Sequence, residues 1–540
     1  MKRISLILTL AASLVLVAAM AAHAVEITVN GTFDFNFGWS VNPDGFSSKQ
    51  DMNTRTARYA QPTWNKGGSA RGTEEHFIAN QRVRTQINFI ASENVQGVLF
   101  FEIGELQWGN GNGSFATAAG GTRVATNGGG AIGTDGVNIK TRRAYIDFNI
   151  PNTELLFRVG LQGLAGPAAV AGSPIIGTSG TDVAAILGIY KINDMVSVAA
   201  FWARPWNTNV GTEAVHAYDE IDMFGLLVPV TMKGIGSFTP YFMFANMGTN
   251  AVATTSTSGF PGLYTNALGT NLYTAQNGLL RSKYMTAWWL GGAIEFTMLD
   301  PLTFGLDVVY GAVDHPSSQF MDRSGWYVAG KVAYKTPWVT PTLIGWWSTG
   351  DDSNIYNGSE RLPSVDADFN ATTFGFAGSG VGGSNTMTGF NYGMASRSDR
   401  FDSSAAGTWG LALQFNNISF IEDLTHQIIV AYIGGTNSTR SMQDRRAIAG
   451  NPGTPYYNNP SSIYLTTADS MWEVDFNTKY QMYENLAVYC EMGMFDIQRA
   501  AYPWRTPENR LNSGFYNANA LKLWDTSTAW KLMFGLQYKF

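Results

Sequence analysis

The chain is written in alternation. Along Thr526–Phe540 (TSTAWKLMFGLQYKF), Trp530, Leu532, Phe534, Leu536, Tyr538 and Phe540 hold one parity; Lys531, Gly535, Gln537 and Lys539 hold the other. Successive side chains of a strand point to opposite faces, so this stretch predicts a strand with one aromatic face and one polar face. Its length suits a tilted strand crossing a bilayer, about 9–11 residues plus interfacial ends. The opening segment Val25–Trp39 (VEITVNGTFDFNFGW) repeats the texture, with Phe33, Phe35 and Phe37 opposite Asp34 and Asn36. Between these two segments the alternation returns in pairs. Asn80–Ala91 and Val95–Leu106 are parted only by Ser92-Glu93-Asn94, Ile139–Ile150 and Glu154–Gly163 by a turn at Pro151-Asn152, and Asp182–Ile192 and Met195–Trp206 by Asn193-Asp194. Tyr218–Met232 meets Gly236–Gly248 at Lys233-Gly234, and Tyr284–Leu299 meets Leu302–Val313 at Asp300-Pro301. Gly325–Thr336 and Trp338–Thr349 flank Pro337, Trp409–Phe420 and Thr425–Gly435 flank Ile421-Glu422-Asp423, and Asp469–Tyr483 and Leu486–Gln498 flank Glu484-Asn485.

These segments predict about 18 strands, with 16 the alternative count, joined in turn by eight short turns and nine longer loops. Asn, Asp, Pro and Gly stand where hairpin turns want them. An even set of antiparallel strands with short turns on one side and long loops on the other predicts an all-β transmembrane barrel. In hydrocarbon a sheet must have no free edge, and the matched texture of the first and last strands lets them pair and seal the ring. A propeller would show a repeat of blades, and a soluble sandwich does not call for so many long strands. Trp39, Trp108, Trp206, Trp338, Trp346, Trp347 and Tyr483 fall near strand ends, as an aromatic girdle requires.

Composition narrows the class. Lys2 and Arg3 precede an apolar run from Ile4 to Ala22 that ends Ala22-His23-Ala24, which predicts a signal peptide over residues 1–24 and one barrel domain over 25–540. Without that segment the chain carries 33 basic residues against 41 acidic ones, which argues against nucleic acid as a partner. The single cysteine, Cys490, excludes an internal disulfide framework and lies on the apolar parity of its strand.

The polar parity defines the lumen. It carries Arg82, Arg84, Gln86, Asn88, Glu102, Arg143, Asp147, Arg158 and Gln162, and further round Lys191, Glu295, Asp307, Lys331, Lys335, Glu473, Asp475, Lys479, Glu491, Lys531 and Lys539. An Arg or Lys facing lipid at the midplane costs roughly 2–4 kcal/mol, so this parity needs water. A barrel of 16–18 strands is too wide for side chains to fill, and a pore follows. The lumen set holds ten Lys or Arg against seven Asp or Glu, which predicts a mild anion preference.

Paired strands, a leading signal and a terminal Phe540 resemble Gram-negative outer-membrane porins of the general diffusion type. Within that class, VEITVNGTFDFNFGW and LLFRVGLQG resemble segments of porins from sulfate-reducing deltaproteobacteria. The resemblance implies a homotrimer in outer-membrane lipid and lipopolysaccharide, recognition of Phe540 by the barrel-assembly machinery, no cofactor, and passive flux of small hydrophilic solutes. It also implies that Arg82, Arg84, Arg143 and Arg158, with Glu102, Asp147 and Gln162, line a constriction opposite an inward-folded third loop. That loop is residues 164–181 (Leu164–Thr181), and it contains no charge, so the acidic half of a transverse field is missing. Pairing of the arginines with Glu102 and Asp147 within the wall is the competing reading.

No catalytic constellation is present: there is neither H-E-x-x-H nor G-x-S-x-G, and His76, His216, His315 and His426 are scattered. The glycine run Gly378–Gly383 matches a dinucleotide fingerprint without a βαβ context. Asp351 and Asp352 beside Asn354 are a weak Ca²⁺ candidate without dedicated ligand spacing, against a solvated loop. The reading is a non-enzymatic diffusion channel. A substrate-specific channel with a solute-binding constriction is the alternative, and a plugged structural barrel is the third.

Overall fold

The computed structural model describes residues 25–41, 76–108, 139–177, 181–207, 218, 220–248, 284–316, 322–354, 356–374, 405–441, 465–498 and 528–540. The expected signal segment and the Gly378–Gly383 run lie outside them. The alternating segments are strands: β1 (Glu26–Val41), β2 (His76–Ser92), β3 (Val95–Gln107), β4 (Ile139–Asn149), β5 (Leu155–Leu164), β6 (Thr181–Lys191), β7 (Ser197–Asn207), β8 (Glu220–Leu227), β9 (Val230–Met232) and β10 (Gly236–Gly248). They continue as β11 (Tyr284–Phe296), β12 (Leu302–Asp314), β13 (Arg323–Tyr334), β14 (Thr340–Ser348), β15 (Thr408–Ile421), β16 (Leu424–Gly435), β17 (Ser470–Tyr483), β18 (Leu486–Gln498) and β19 (Ala529–Lys539). The expected Tyr218–Met232 strand is split. Both β8 and β9 pair with β10, and they part at Val228-Pro229, where proline removes a ladder donor. The 19 segments therefore make 18 staves.

Each stave pairs antiparallel with its sequence neighbours, and β1 pairs with both β2 and β19. The sheet is closed. At the seam Phe540 N–H donates to the Gly31 carbonyl (3.1 Å) and Gly31 N–H donates to the Phe540 carbonyl (2.9 Å). The Phe540 ring occupies the space that a side chain at position 31 would need, so glycine there is a steric requirement.

The two parities separate as expected. On β19, Trp530, Phe534, Leu536 and Tyr538 are exposed, whereas Lys531, Met533 and Gly535 are buried. Phe224, Leu226, Leu290, Leu411 and Val430 are exposed on other staves. That outward apolar surface is what a hydrocarbon environment requires. Cys490, aligned with outward-facing Phe534, is half-buried. Inside, bulky rings lie over glycines of the neighbouring stave: Tyr489 over Gly535, Tyr241 over Gly291 and Trp346 over Gly410. Trp346 therefore corrects the expected girdle. Adjacent strand residues face opposite ways, so exposed Trp347 stays on the lipid side while Trp346 turns inward, donates from Nε1 to Thr408 Oγ1 (3.1 Å) and packs on Phe369.

Candidate functional site

Two segments fold into the barrel and cross it. The first follows β5. Its apolar residues Leu164, Ala171, Ile175 and Ile176 are buried, and the N–H groups of Ala169 and Val170 donate to the two carboxylate oxygens of Asp307 on β12 (2.8 and 2.9 Å). A chargeless loop can be desolvated without stranding a side-chain charge, and a single wall carboxylate holds its exposed amides. The second, residues 349–354 and 356–374 after β14, has no inward-folding signal in the sequence. Leu362, Val365, Ala367, Phe369, Ala371 and Phe374 are buried in it. Arg323 of β13 donates from Nε to the Arg361 carbonyl (2.8 Å) and from Nη2 to the Leu362 carbonyl (2.9 Å). Trp289 Nε1 donates to the Pro363 carbonyl (2.9 Å). The far end is held by β17 and β19: Thr373 N–H donates to Asp475, Phe374 N–H donates to Glu473 (both 2.9 Å), and Lys531 Nζ donates to the Thr373 carbonyl (2.7 Å).

The two segments also bind each other. Val365 and Asp366 N–H groups both reach the Ile175 carbonyl (3.0 Å), Asn370 N–H donates to Ala171 (2.9 Å), and Ser173 N–H donates to Asp368 Oδ1 (3.1 Å). Together they form a strap across the lumen. Asp307, Glu473, Asp475 and Lys531, expected as water-facing charges, are buried anchors of that strap. Lys191 is corrected too: it sits at a rim turn and pairs with Asp194 (3.0 Å).

On β2–β6 the candidate constriction residues form a paired basic wall. Arg82 meets Asp34 (3.4 Å), Arg84 meets Glu102 (2.9 Å), and Arg158 grips both oxygens of Asp147 (2.7 and 2.8 Å) while stacking on Tyr145. Gln96 adds an amide donor to Asp147 (3.0 Å). Arg143 pairs with Asp182 (3.1 Å). Lys140 and Arg142, both missed from sequence, also reach Glu102 (3.2 and 2.8 Å), and Arg142 pairs with Asp182 as well. A bulge between Phe100 and Phe101 leaves Arg142 outside the ladder register, so strict alternation could not place it. Gln162 is fully buried and donates to the Ala185 carbonyl (2.9 Å), so it braces β5 against β6 and does not meet channel water.

The wall has six cationic side chains for four carboxylates, and the two signs differ in exposure. Side chains of Glu102, Asp147 and Asp182 keep 5–15 % of their surface, whereas Arg84, Arg142, Arg143 and Arg158 keep 24–31 %. In these pairs the guanidinium is the more exposed partner, whereas Arg82 and Asp34 are both buried.

At the strap's outer end, Asp351 is buried and accepts from Ser359 Oγ (2.6 Å), which corrects the expectation of a solvated loop. Asp352 is exposed and accepts from the Asn354 N–H and from Asn357 Nδ2. Among the described residues no group of three or more His, Cys, Asp or Glu is placed to hold a metal ion.

No family model matches the chain, and no curated protein matches it. Among solved structures it is similar to OccK2 (OpdF) of Pseudomonas aeruginosa in complex with glucuronate, at 9% identity, TM-score 0.47, over 95% of this chain and 98% of that chain. It is also similar to OccAB3 of Acinetobacter baumannii (10% identity, TM-score 0.46, 95% and 99% covered). A third is P. aeruginosa OpdK with vanillate (8% identity, TM-score 0.45, 95% and 98% covered). By its own strand pairing this chain is a closed antiparallel β-barrel with an apolar exterior and a strapped, charged lumen.

Proposed function

We propose that the chain is an outer-membrane porin, a water-containing channel for passive diffusion of small hydrophilic solutes and ions, with a mild preference for anions. The observation that carries the preference is the basic wall, in which Arg84, Arg142, Arg143 and Arg158 stay partly exposed while the carboxylates they pair with are more deeply covered. A passing anion meets guanidinium N–H groups first. Because each guanidinium is already paired, its attraction is partly neutralised, and solutes are biased without being trapped. The partners in this reading are a homotrimer of the chain, outer-membrane lipid and lipopolysaccharide, and an assembly machinery that engages Phe540.

The strap supports a second reading, a solute-specific channel. Two lumen-crossing segments narrow the path more than one loop does, and wall side chains hold their backbone groups in fixed positions. Planar-bilayer recording of the refolded chain separates the cases. Ohmic steps with a reversal potential on the anion side under a KCl gradient are expected. A cation-side potential sinks the charge argument, saturation of solute flux moves the reading to a specific channel, and silence from folded protein removes the channel.

A further inference from the structure

Below the strap lies a cavity of about 420 Å³, bounded by Val170, Asn370 and Thr373 of the strap and by Lys331, Thr342, Gln414, Asn416 and Gln427 of the wall. Its wall residues sit toward the short turns of β13–β16, away from the arginines. The carboxamides form a one-way relay. Asn477 Nδ2 donates to Gln427 Oε1 (2.9 Å), Gln427 Nε2 to Asn416 Oδ1 (2.7 Å), Asn416 Nδ2 to Gln414 Oε1 (3.0 Å), and Gln414 Nε2 to the Ala371 carbonyl (2.9 Å). Asn477 Nδ2 also donates to Thr373 Oγ1 (3.2 Å), and Asn477 Oδ1 is buried without a partner.

The relay fixes each amide's orientation and uses only part of its capacity. An amide has two N–H donors and two acceptor lone pairs. Gln427 donates once and accepts once in the relay, and Gln414 does the same, so each retains one donor beside one acceptor. A hydroxyl both donates and accepts, so it satisfies such a pair. A carboxylate only accepts and an ammonium only donates. The one charged lining residue, Lys331, lies 3.6 Å from Glu295. Ala333, Ile344, Ile429 and Val170 give the cavity an apolar side that suits C–H groups. Its volume lies within the ~300–1,000 Å³ range of small-molecule sites.

We propose that this vestibule is a subsite for neutral polyhydroxylated solutes, a monosaccharide or sugar alcohol, on the wall opposite the cationic one. The proposal rests on the channel reading and adds a solute class to it. Hydroxyls bind the spare donor and acceptor of Gln414 and of Gln427 and the spare acceptor of Asn416, whose Nδ2 already donates to Gln414 and to Thr342 Oγ1 (3.4 Å). The C–H face lies on Ile344 and Ile429. The site is independent of the arginines, so its occupancy does not follow reversal potential.

The test is open-channel current of the full chain in planar bilayers, titrated with glucose and with sorbitol. A polyethylene glycol of matched mass, rich in acceptors and poor in donors, is the size control. Saturating block by glucose and sorbitol, stronger from the side of the short turns, is expected, with only a linear decrease for the glycol. Asn416→Leu and Gln427→Met keep side-chain size and remove an amide. Each is expected to raise the half-blocking concentration roughly two- to tenfold, the value of one net hydrogen bond, and to leave reversal potential unchanged. Circular dichroism and heat-modifiable gel mobility establish that each variant folds. Linear, glycol-like decreases in the parent and both variants, with discrete steps intact, overturn the subsite alone. Folded protein without steps overturns the channel reading and the subsite with it.

Discussion

Glu102 shows what single residues contribute to the wall. Its carboxylate is shared by Arg84, Lys140 and Arg142, so it offsets repulsion among three cations. Glu102→Gln removes a covered negative charge and leaves exposed positive ones, and the expected outcome is a reversal potential shifted further to the anion side. Arg158 is the converse case. Arg158→Gln leaves Asp147 buried with Gln96 as its remaining side-chain donor, and an expected loss of about 1–3 kcal/mol is read by urea unfolding in vesicles. The same change moves the reversal potential toward cations. Glu360, outside the strands, carries a pH dependence. Burial and then the neighbouring charges of Asp351 and Asp352 push its carboxyl up from 4.5 to about 7, opposed by the Asp352 N–H that donates to it. Between those values the folded segment holds a proton that the unfolded one has released, so its stability falls as pH rises through that window. Amides of residues 351–361 are expected to be better protected from hydrogen exchange at pH 5.5 than at pH 8, after correction for intrinsic rates. Glu360→Gln is expected to flatten the difference.

At the scale of elements, alternation located the staves because burial on one face and lipid on the other enforce a period of two. Gly236–Gly248 and Leu486–Gln498 were legible to the residue, since each ends at a turn signal or where the alternation stops. The second segment of the strap was not legible. Leu362, Val365 and Phe369 have no strand period, and nothing local shows that their partners are Arg323, Ile175 and Trp346. Glu473, Asp475 and Lys531 were correctly placed on the inner parity, yet parity cannot say whether a strap or water covers them. Arg142 was lost to a single bulge. Asp307 is the simplest probe of the strap. Asp307→Ala leaves the Ala169 and Val170 N–H groups without their acceptor, and the expected outcome is a larger, noisier single-channel conductance. Unchanged conductance would mean that the paired segments 171–177 and 365–370 hold the strap alone.

For the molecule as a whole, two walls of different chemistry share one strapped lumen. Charge selection and hydroxyl recognition are thereby separated in space, so variants of one are expected to leave the other intact. The ring itself depends on its seam. Gln537 Nε2 donates to Asp34 Oδ1 across 503 positions of the chain (2.9 Å). Closing a flexible loop of that length costs about 5–6 kcal/mol in chain entropy beyond a constant, and no single hydrogen bond repays it. The β1–β19 ladder therefore forms late and as a unit, after the local hairpins, in the manner of slow, high-contact-order folds. Until then both terminal strands present bare edges, which in lipid are untenable and in water invite pairing with another chain. Folding of this barrel is thus set by a waiting time. Gly31 keeps room for the Phe540 ring and the Arg84 carbonyl, so a bulkier residue there would both strain the closed ring and lengthen the lifetime of the open form.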